Sequence, residues 1–263
     1  MSKLFCILFY GQFRYDKEII DKLYKNVISI NNCEVYCHFW DYENDVFTIN
    51  QADLEYFLKL INPVSYVIEL QKIINWKEYY TGLNDDVIDK IENGICEKYN
   101  IPNSQILRSV KANISQITSK YTVNKLKNDF IKDKNKNYDF VMTTRLDIAW
   151  DIPIDFSSFI VHENCIYSEC NGWIDYNNYG KTNVMDTYCE IFHNIEKIQR
   201  PITNIPWNPP YLDSHDEASR KDISNGPEYI LNYWLHNNNI NLMQSQFVLE
   251  GRSGLSLSRI SKP

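Results

Sequence analysis

Arg145 and Asp147 stand one residue apart at the end of the apolar stretch Tyr138-Asp139-Phe140-Val141-Met142-Thr143-Thr144. Residues two apart on an extended segment point to one side, so the sequence predicts a cation and an anion presented together. In α/β proteins ligands gather at the carboxyl ends of strands. There the pairing suits a phosphate, held by the guanidinium, and a metal, held by the carboxylate. The structural alternative is an Arg-Asp ion pair that closes a strand end.

Gly11-Gln12-Phe13-Arg14 follows another apolar run, Leu4 to Tyr10, and precedes a helical pattern. A glycine at that point lets the backbone approach a ligand, the next helix N-terminus favours an anion, and Arg14 adds a bidentate phosphate contact. Taken singly, Gly11 also reads as a tight turn and Arg14 as a surface ion pair. His38 and Asp41 flank Trp40 at the end of a third apolar stretch. Arg14, His38 and Arg145 therefore end three predicted strands, and such ends converge on one edge of a parallel sheet.

The elements that must position these residues follow from periodicity. Leu4 to Tyr10 is continuous and apolar, as in a strand buried on both faces, and Gly11 is expected to turn the chain. From Asp16, the residues Ile19, Ile20, Leu23, Val27 and Ile30 recur at helical spacing. Glu34 to Trp40 predicts the second strand of a β-α-β unit, 51–61 a helix and Val64 to Leu70 a third strand.

Helical periodicity fills Trp76 to Lys132, broken at Gly82, Gly94 and the Asn100 to Ser104 turn signal, and predicts helices packed beside the sheet. Farther on, Phe159 to Val161 and Cys165 to Ser168 read as short strands, Val184 to Ile198 and Pro227 to His236 as helices, and Asn241 to Leu249 as a last strand. Residues 200–224, with Pro201, Pro206, Pro209 and Pro210, read as a long loop, and the end beyond Gly251 as mobile. Neither an internal repeat nor a domain-separating linker is visible.

The 263 residues, 44% hydrophobic with 12 Phe, 19 Tyr and 6 Trp, are enough for a folded enzyme-sized unit. A net charge of −7 and an interrupted basic stretch at Lys132 to Lys136 argue against nucleic-acid binding. Seven cysteines at irregular intervals form no secreted disulfide framework, and the Cys33/Cys37 and Cys165/Cys170 spacings are not those of structural zinc. The first apolar run is too short to span a bilayer and lacks the flanks of a signal peptide. A reduced, cytoplasmic compartment and a chain without a transmembrane segment are expected.

Phe9-Tyr10-Gly11-Gln12-Phe13-Arg14, His38-Phe39-Trp40, Ser115-Gln116 and Tyr138-Asp139-Phe140-Val141 with Arg145-Leu146-Asp147 resemble, in this order, GT-A-like glycosyltransferases from polysaccharide loci and large viruses. Gly180 to Tyr188, with Met185, and Pro227-Glu228 look like the same group's C-terminal half, so the resemblance spans about residues 4–250. It implies a single GT-A-like, Rossmann-like α/β domain over 1–263: a mostly parallel sheet flanked by helices, with a helical insertion. The donor-nucleotide half would cover about 1–150 and the acceptor half about 151–250.

The implied substrates are a UDP- or GDP-sugar donor and a glycan acceptor, in the cytoplasm of a bacterium or of a virus's host. The implied donor-nucleotide residues are Gly11, Gln12, Arg14, His38, Ser115 and Arg145. In this group the strand usually ends in Asp-x-Asp, whose last carboxylate holds Mn2+ or Mg2+ beneath the diphosphate. Here Arg145 replaces the first carboxylate, so the metal role carries over to Asp147 alone.

An inverting transfer needs a base for the acceptor hydroxyl. Asp175, after Asn171-Gly172-Trp173, is the first choice and Glu228 the second, each also readable as a surface carboxylate or helix cap. Asp213-Ser214-His215-Asp216-Glu217 could supply a base or metal ligand, although its Pro-rich setting reads as a solvated stretch; Trp173 and Trp207 could stack on a sugar. Two other classes stay open: a catalytically silent nucleotide- or glycan-binding module, and a phosphate-ester hydrolase built on Asp147, Asp175, His215 and Asp216.

Overall fold

The structure is a computed structural model that describes residues 3–42, 48–71, 103–134, 136–170, 173–194, 234–245 and 255–256. Its main sheet contains β1 (Phe5–Gln12), β2 (Cys33–Asp41), β3 (Ser65–Leu70) and β4 (Phe140–Thr144). After these come β5 (Ala149–Trp150), β6 (Cys165–Cys170), β7 (Trp173–Gly180), β8 (Asn241–Gln244) and β9 (Leu255–Ser256). The sheet order is β3-β2-β1-β4-β7-β6-β8, and β5 pairs with β9 in a small second sheet. β3, β2, β1 and β4 run parallel, and β7 runs antiparallel to β4 and β6. The architecture is a mixed, mostly parallel sheet flanked by helices.

β1 reads as an unbroken apolar run because both its faces are covered: Cys6, Ile7, Leu8 and Phe9 have no exposed surface. Burying side chains of this size is worth about 1.5–3 kcal/mol each. Phe5, Ile7 and Phe9 pack on one face with Ile20 and Leu23 of α1 (Lys17–Asn26) and with Phe57 of α2 (Gln51–Ile61). Cys6, Leu8 and Tyr10 meet Ile117 and Val123 of α3 (Asn103–Lys134) and Met185 of α4 (Thr182–Cys189) on the other. Strands are added outward from β1 to β3, and the chain then returns to place β4 on the far side of β1. Reversing direction while keeping a right-handed crossover puts the returning helix, α3, on the opposite face.

α2 matches its predicted limits because both ends are marked in the sequence. The Asn50 side chain accepts from the N–H groups of Ala52 and Asp53, and Asn62 takes the left-handed conformation at φ 50°. The long helix begins at Asn103, within the Asn100 to Ser104 turn signal that breaks the helical periodicity. Gly82, Gly94 and all of the Trp76 to Lys132 stretch before it lie outside the described residues.

Several expectations are corrected. β1 continues through Gly11 and Gln12, which pair with Phe39 and Trp40 of β2, so Gly11 bends the strand at φ 99° without ending it. α1 stops at Asn26 and gives way to a 3-10 turn at Ile28–Ile30. Phe159 to Val161 form no strand; they follow the 3-10 turn Phe156–Ser158, and Phe159 stacks on Phe140 and lies tilted against Tyr179. α4 ends at Cys189 and passes into a 3-10 segment, Glu190–Asn194. Leu255 and Ser256, expected in a mobile end, pair with Trp150 and Ala149. Of the predicted helix Pro227 to His236, only 234–236 is described, and it is helical; of the predicted last strand, 241–245 is described and Asn241–Gln244 forms the strand.

β7 was not anticipated: its sequence, WIDYNNYG, lacks the apolar alternation of a strand. Asn177 and Asn178 are nonetheless buried, and side-chain partners make that possible. Thr144 donates from Oγ1 to Asn177 Oδ1, and Asn178 donates from Nδ2 to the Tyr188 hydroxyl at 3.1 Å. Among the described residues no helix is long and apolar enough to cross a membrane.

Candidate functional site

The sheet changes its direction of growth between β1 and β4, and the crevice outside the carboxyl ends of such a strand pair is where ligands settle in open α/β sheets. Arg14 follows β1, and Arg145 and Asp147 follow β4. Pairing with β1 ends with Thr144 opposite Phe9, and Leu146 and Asp147 then form a turn. The Arg-x-Asp is therefore not extended, contrary to the sequence reading. The turn forms because Leu146 and Ile148 dive into the core shared with α1 and α2.

Within that turn the three charged side chains meet. Arg145 donates from Nε to Asp147 Oδ1 at 2.8 Å and from Nη2 to Oδ2. Arg14 donates from Nη1 to the same Oδ2 at 2.8 Å. Gln12 steadies Arg14 by accepting its Nε–H at 2.9 Å, while its own amide donates to the Tyr42 hydroxyl at 2.7 Å. The burial is graded: the Asp147 side chain is 5% exposed, Arg145 22% and Arg14 35%. The carboxylate is the most buried of the three, and both arginine side chains keep some exposed surface.

Gly11, His38 and Ser115 form a second group, organised by α3. The Gly11 N–H donates to Ser119 Oγ at 2.7 Å, and the same oxygen lies 2.7 Å from His38 Nδ1. Ser115 accepts from Trp40 Nε1 through its carbonyl at 3.1 Å and from Gln71 Nε2 through its hydroxyl at 2.6 Å. These bonds tie the ends of β1, β2 and β3 to one helix. His38 is wholly buried, and burial lowers its pKa to about 4, so the ring is neutral at pH 7. Glu69 Oε1, 3.7 Å from Nε2, is too far for a hydrogen bond and does not offset the burial. His38 is thus a neutral, buried link between β2 and α3.

The N-terminus of α1, expected to favour an anion, is capped by its own chain. Asp16 accepts from the N–H groups of Glu18 and Ile19, at 2.9 and 3.2 Å.

Asp175 lies on β7. The antiparallel register sets Thr143 against Asn178, which carries the earlier residues of β7, Asp175 among them, past Thr144 on the carboxyl side of β4. Its backbone therefore shares the edge from which Arg145 and Asp147 emerge. Glu228, Trp207 and the cluster Asp213 to Glu217, with His215 and Asp216, lie outside the described residues.

Ser119 escaped the sequence reading, although it is four residues beyond Ser115 and so on the same helical face. The buried face of α3 is largely polar: Ser115, Ser119, Lys120, Asn124 and Lys127 are all buried. Lys120 donates from Nζ to the Tyr188 hydroxyl at 2.6 Å and lies 4.8 Å over the Tyr10 ring. Lys127 is 2.7 Å from Asp186 Oδ1. An amphipathic pattern cannot mark such a face.

A divalent cation of the Mn2+ or Mg2+ kind needs several oxygen ligands. Both oxygens of Asp147 accept guanidinium N–H groups, and among the described residues no three His, Cys, Asp or Glu side chains group as metal ligands. No protein-family model matches the chain, and no curated protein matches it significantly.

Proposed function

We propose that the protein is a glycosyltransferase with a GT-A-like domain that moves a sugar from a nucleotide-diphosphate sugar to a hydroxyl acceptor such as a glycan. The observation that carries this reading is the meeting of Arg14, Arg145 and Asp147 at the switch between β1 and β4. Two partly exposed arginines at a switch point suit a diphosphate, and a diphosphate is the leaving group of such a donor. Strand order supports the reading: a parallel half that would receive the nucleotide is followed by the reversed β7. Asp175, at the same edge, is the proposed base for the acceptor hydroxyl, with Glu228 as second candidate.

A thermal-shift panel of UDP- and GDP-sugars, with and without Mn2+, tests the donor site, since a ligand that binds only the folded state raises its apparent stability. No stabilisation by any nucleotide would defeat the reading. Donor hydrolysis by the wild type, set against Asp147→Ala and Asp175→Asn, tests the activity. Nucleotide binding with no turnover of any donor would instead favour a silent binding module. Turnover of phosphate esters without a nucleotide would favour a hydrolase.

A further inference from the structure

We infer that the Arg14–Asp147–Arg145 cluster holds a nucleoside diphosphate without a divalent cation, its two guanidiniums supplying the charge that a bound ion would otherwise supply. The inference rests on the donor-site reading above and deepens it.

Two guanidiniums together carry the same formal charge as one Mn2+ or Mg2+ ion, and neither loses it at any physiological pH. They also occupy the place an ion would take. Arg145 engages both oxygens of Asp147, and Arg14 adds a second donor to Oδ2. A cation approaching that carboxylate would have to displace both arginines and then lie beside their charges.

The exposure gradient gives the direction of approach. With Asp147 at 5% and the arginines at 22% and 35%, a ligand entering the crevice meets cations first. Asp147 beneath and Gln12 beside Arg14 hold the planar groups in position before a ligand arrives. Such preorganisation spares the cost of ordering two long side chains on binding, and planar guanidinium groups match phosphate oxygens in pairs. Arg145, in the place of a carboxylate, is thus the residue that makes the site complete without a metal.

Calorimetric titration of the purified full chain with UDP and with GDP, in EDTA and in Mn2+, tests this. The expected result is an affinity in EDTA within about threefold of that in Mn2+, and a loss of about tenfold or more in EDTA for Arg14→Gln and Arg145→Gln. Arg145→Asp, which writes Asp-x-Asp into the turn, should lose binding in EDTA and recover it in Mn2+. Circular dichroism checks that each variant is folded, and the wild-type comparison alone decides the point if one is not. Wild-type binding that needs Mn2+ overturns the metal-free clamp and leaves the donor site standing. No binding of either nucleotide under either condition overturns both.

Discussion

The Nε of Arg145 lies 2.8 Å from Oδ1 of Asp147, two residues farther along the same turn. Arg14, from the neighbouring strand end, reaches the other oxygen of that carboxylate. One anion thus fixes two cations that arrive from opposite sides of the sheet's switch point.

Removing that anion should cost stability as well as order. Asp147→Ala leaves two guanidiniums close together without their shared partner. Breaking a buried pair costs about 3–5 kcal/mol, and the partial exposure of both arginines reduces this to about 1–3 kcal/mol. Urea denaturation measures it, and a change below about 0.5 kcal/mol would mean that solvent already screens the cluster.

His38 gives the fold an acid-sensitive point. Its folded pKa, about 4, lies below the ordinary value of 6.5, so between these the unfolded chain binds the proton more readily. Stability is complete above pH 6.5, declines as pH falls, and the loss is fully developed below about pH 4. A shift of this size corresponds to about 3 kcal/mol. The denaturation midpoint of the wild type should therefore fall more steeply across this window than that of His38→Asn. Parallel curves would show that His38 titrates normally.

Gly11 and Gly180 should fail differently when changed to alanine. At Gly11 a Cβ would meet nothing within 4 Å, so the cost comes from φ 99° alone, about 1–2 kcal/mol. At Gly180 a Cβ would come within 2.9 Å of the Cys165 carbonyl and press on Val184. Overpacking of that kind costs about 1–3 kcal/mol and should loosen β7 from β6 and α4. Nucleotide titration separates the two: Gly11→Ala should weaken binding by displacing Arg14, whereas Gly180→Ala should chiefly lower the unfolding temperature.

Lys127 has no exposed side-chain surface, and Asp186, which also accepts from Asn124 and Asn128, balances its charge. Asp186→Ala should destabilise by about 2–4 kcal/mol because it strands a buried ammonium. Lys127→Met should cost less, since Asp186 keeps two amide donors and partial access to water. Chemical denaturation of both variants checks the order, and the reverse order would contradict the pairing.

The parallel half of the fold was legible because its signals are local. β1 and β2 are apolar runs of strand length, and the helix at 51–61 carries its own caps. The second half was less so, because its buried strand β7 holds asparagines whose partners, Thr144 and Tyr188, are distant in sequence. The polar inner face of α3 was hidden for the same reason.

For the candidate site, residue type and order in the chain were enough to single out Arg14, Arg145 and Asp147 and to direct them to the ends of neighbouring strands. Apolar patterning and parallel-sheet topology require that much. Tertiary structure alone decided their relation: Leu146 enters the core and turns the chain, which folds Arg145 onto Asp147, and β1 extends far enough for Arg14 to join them. It also tied His38 to Ser119 of α3, and Trp40 to the carbonyl of Ser115 on the same helix. Burial and hydrogen-bond geometry depend on which distant segments share a layer, and local sequence patterning does not carry that information.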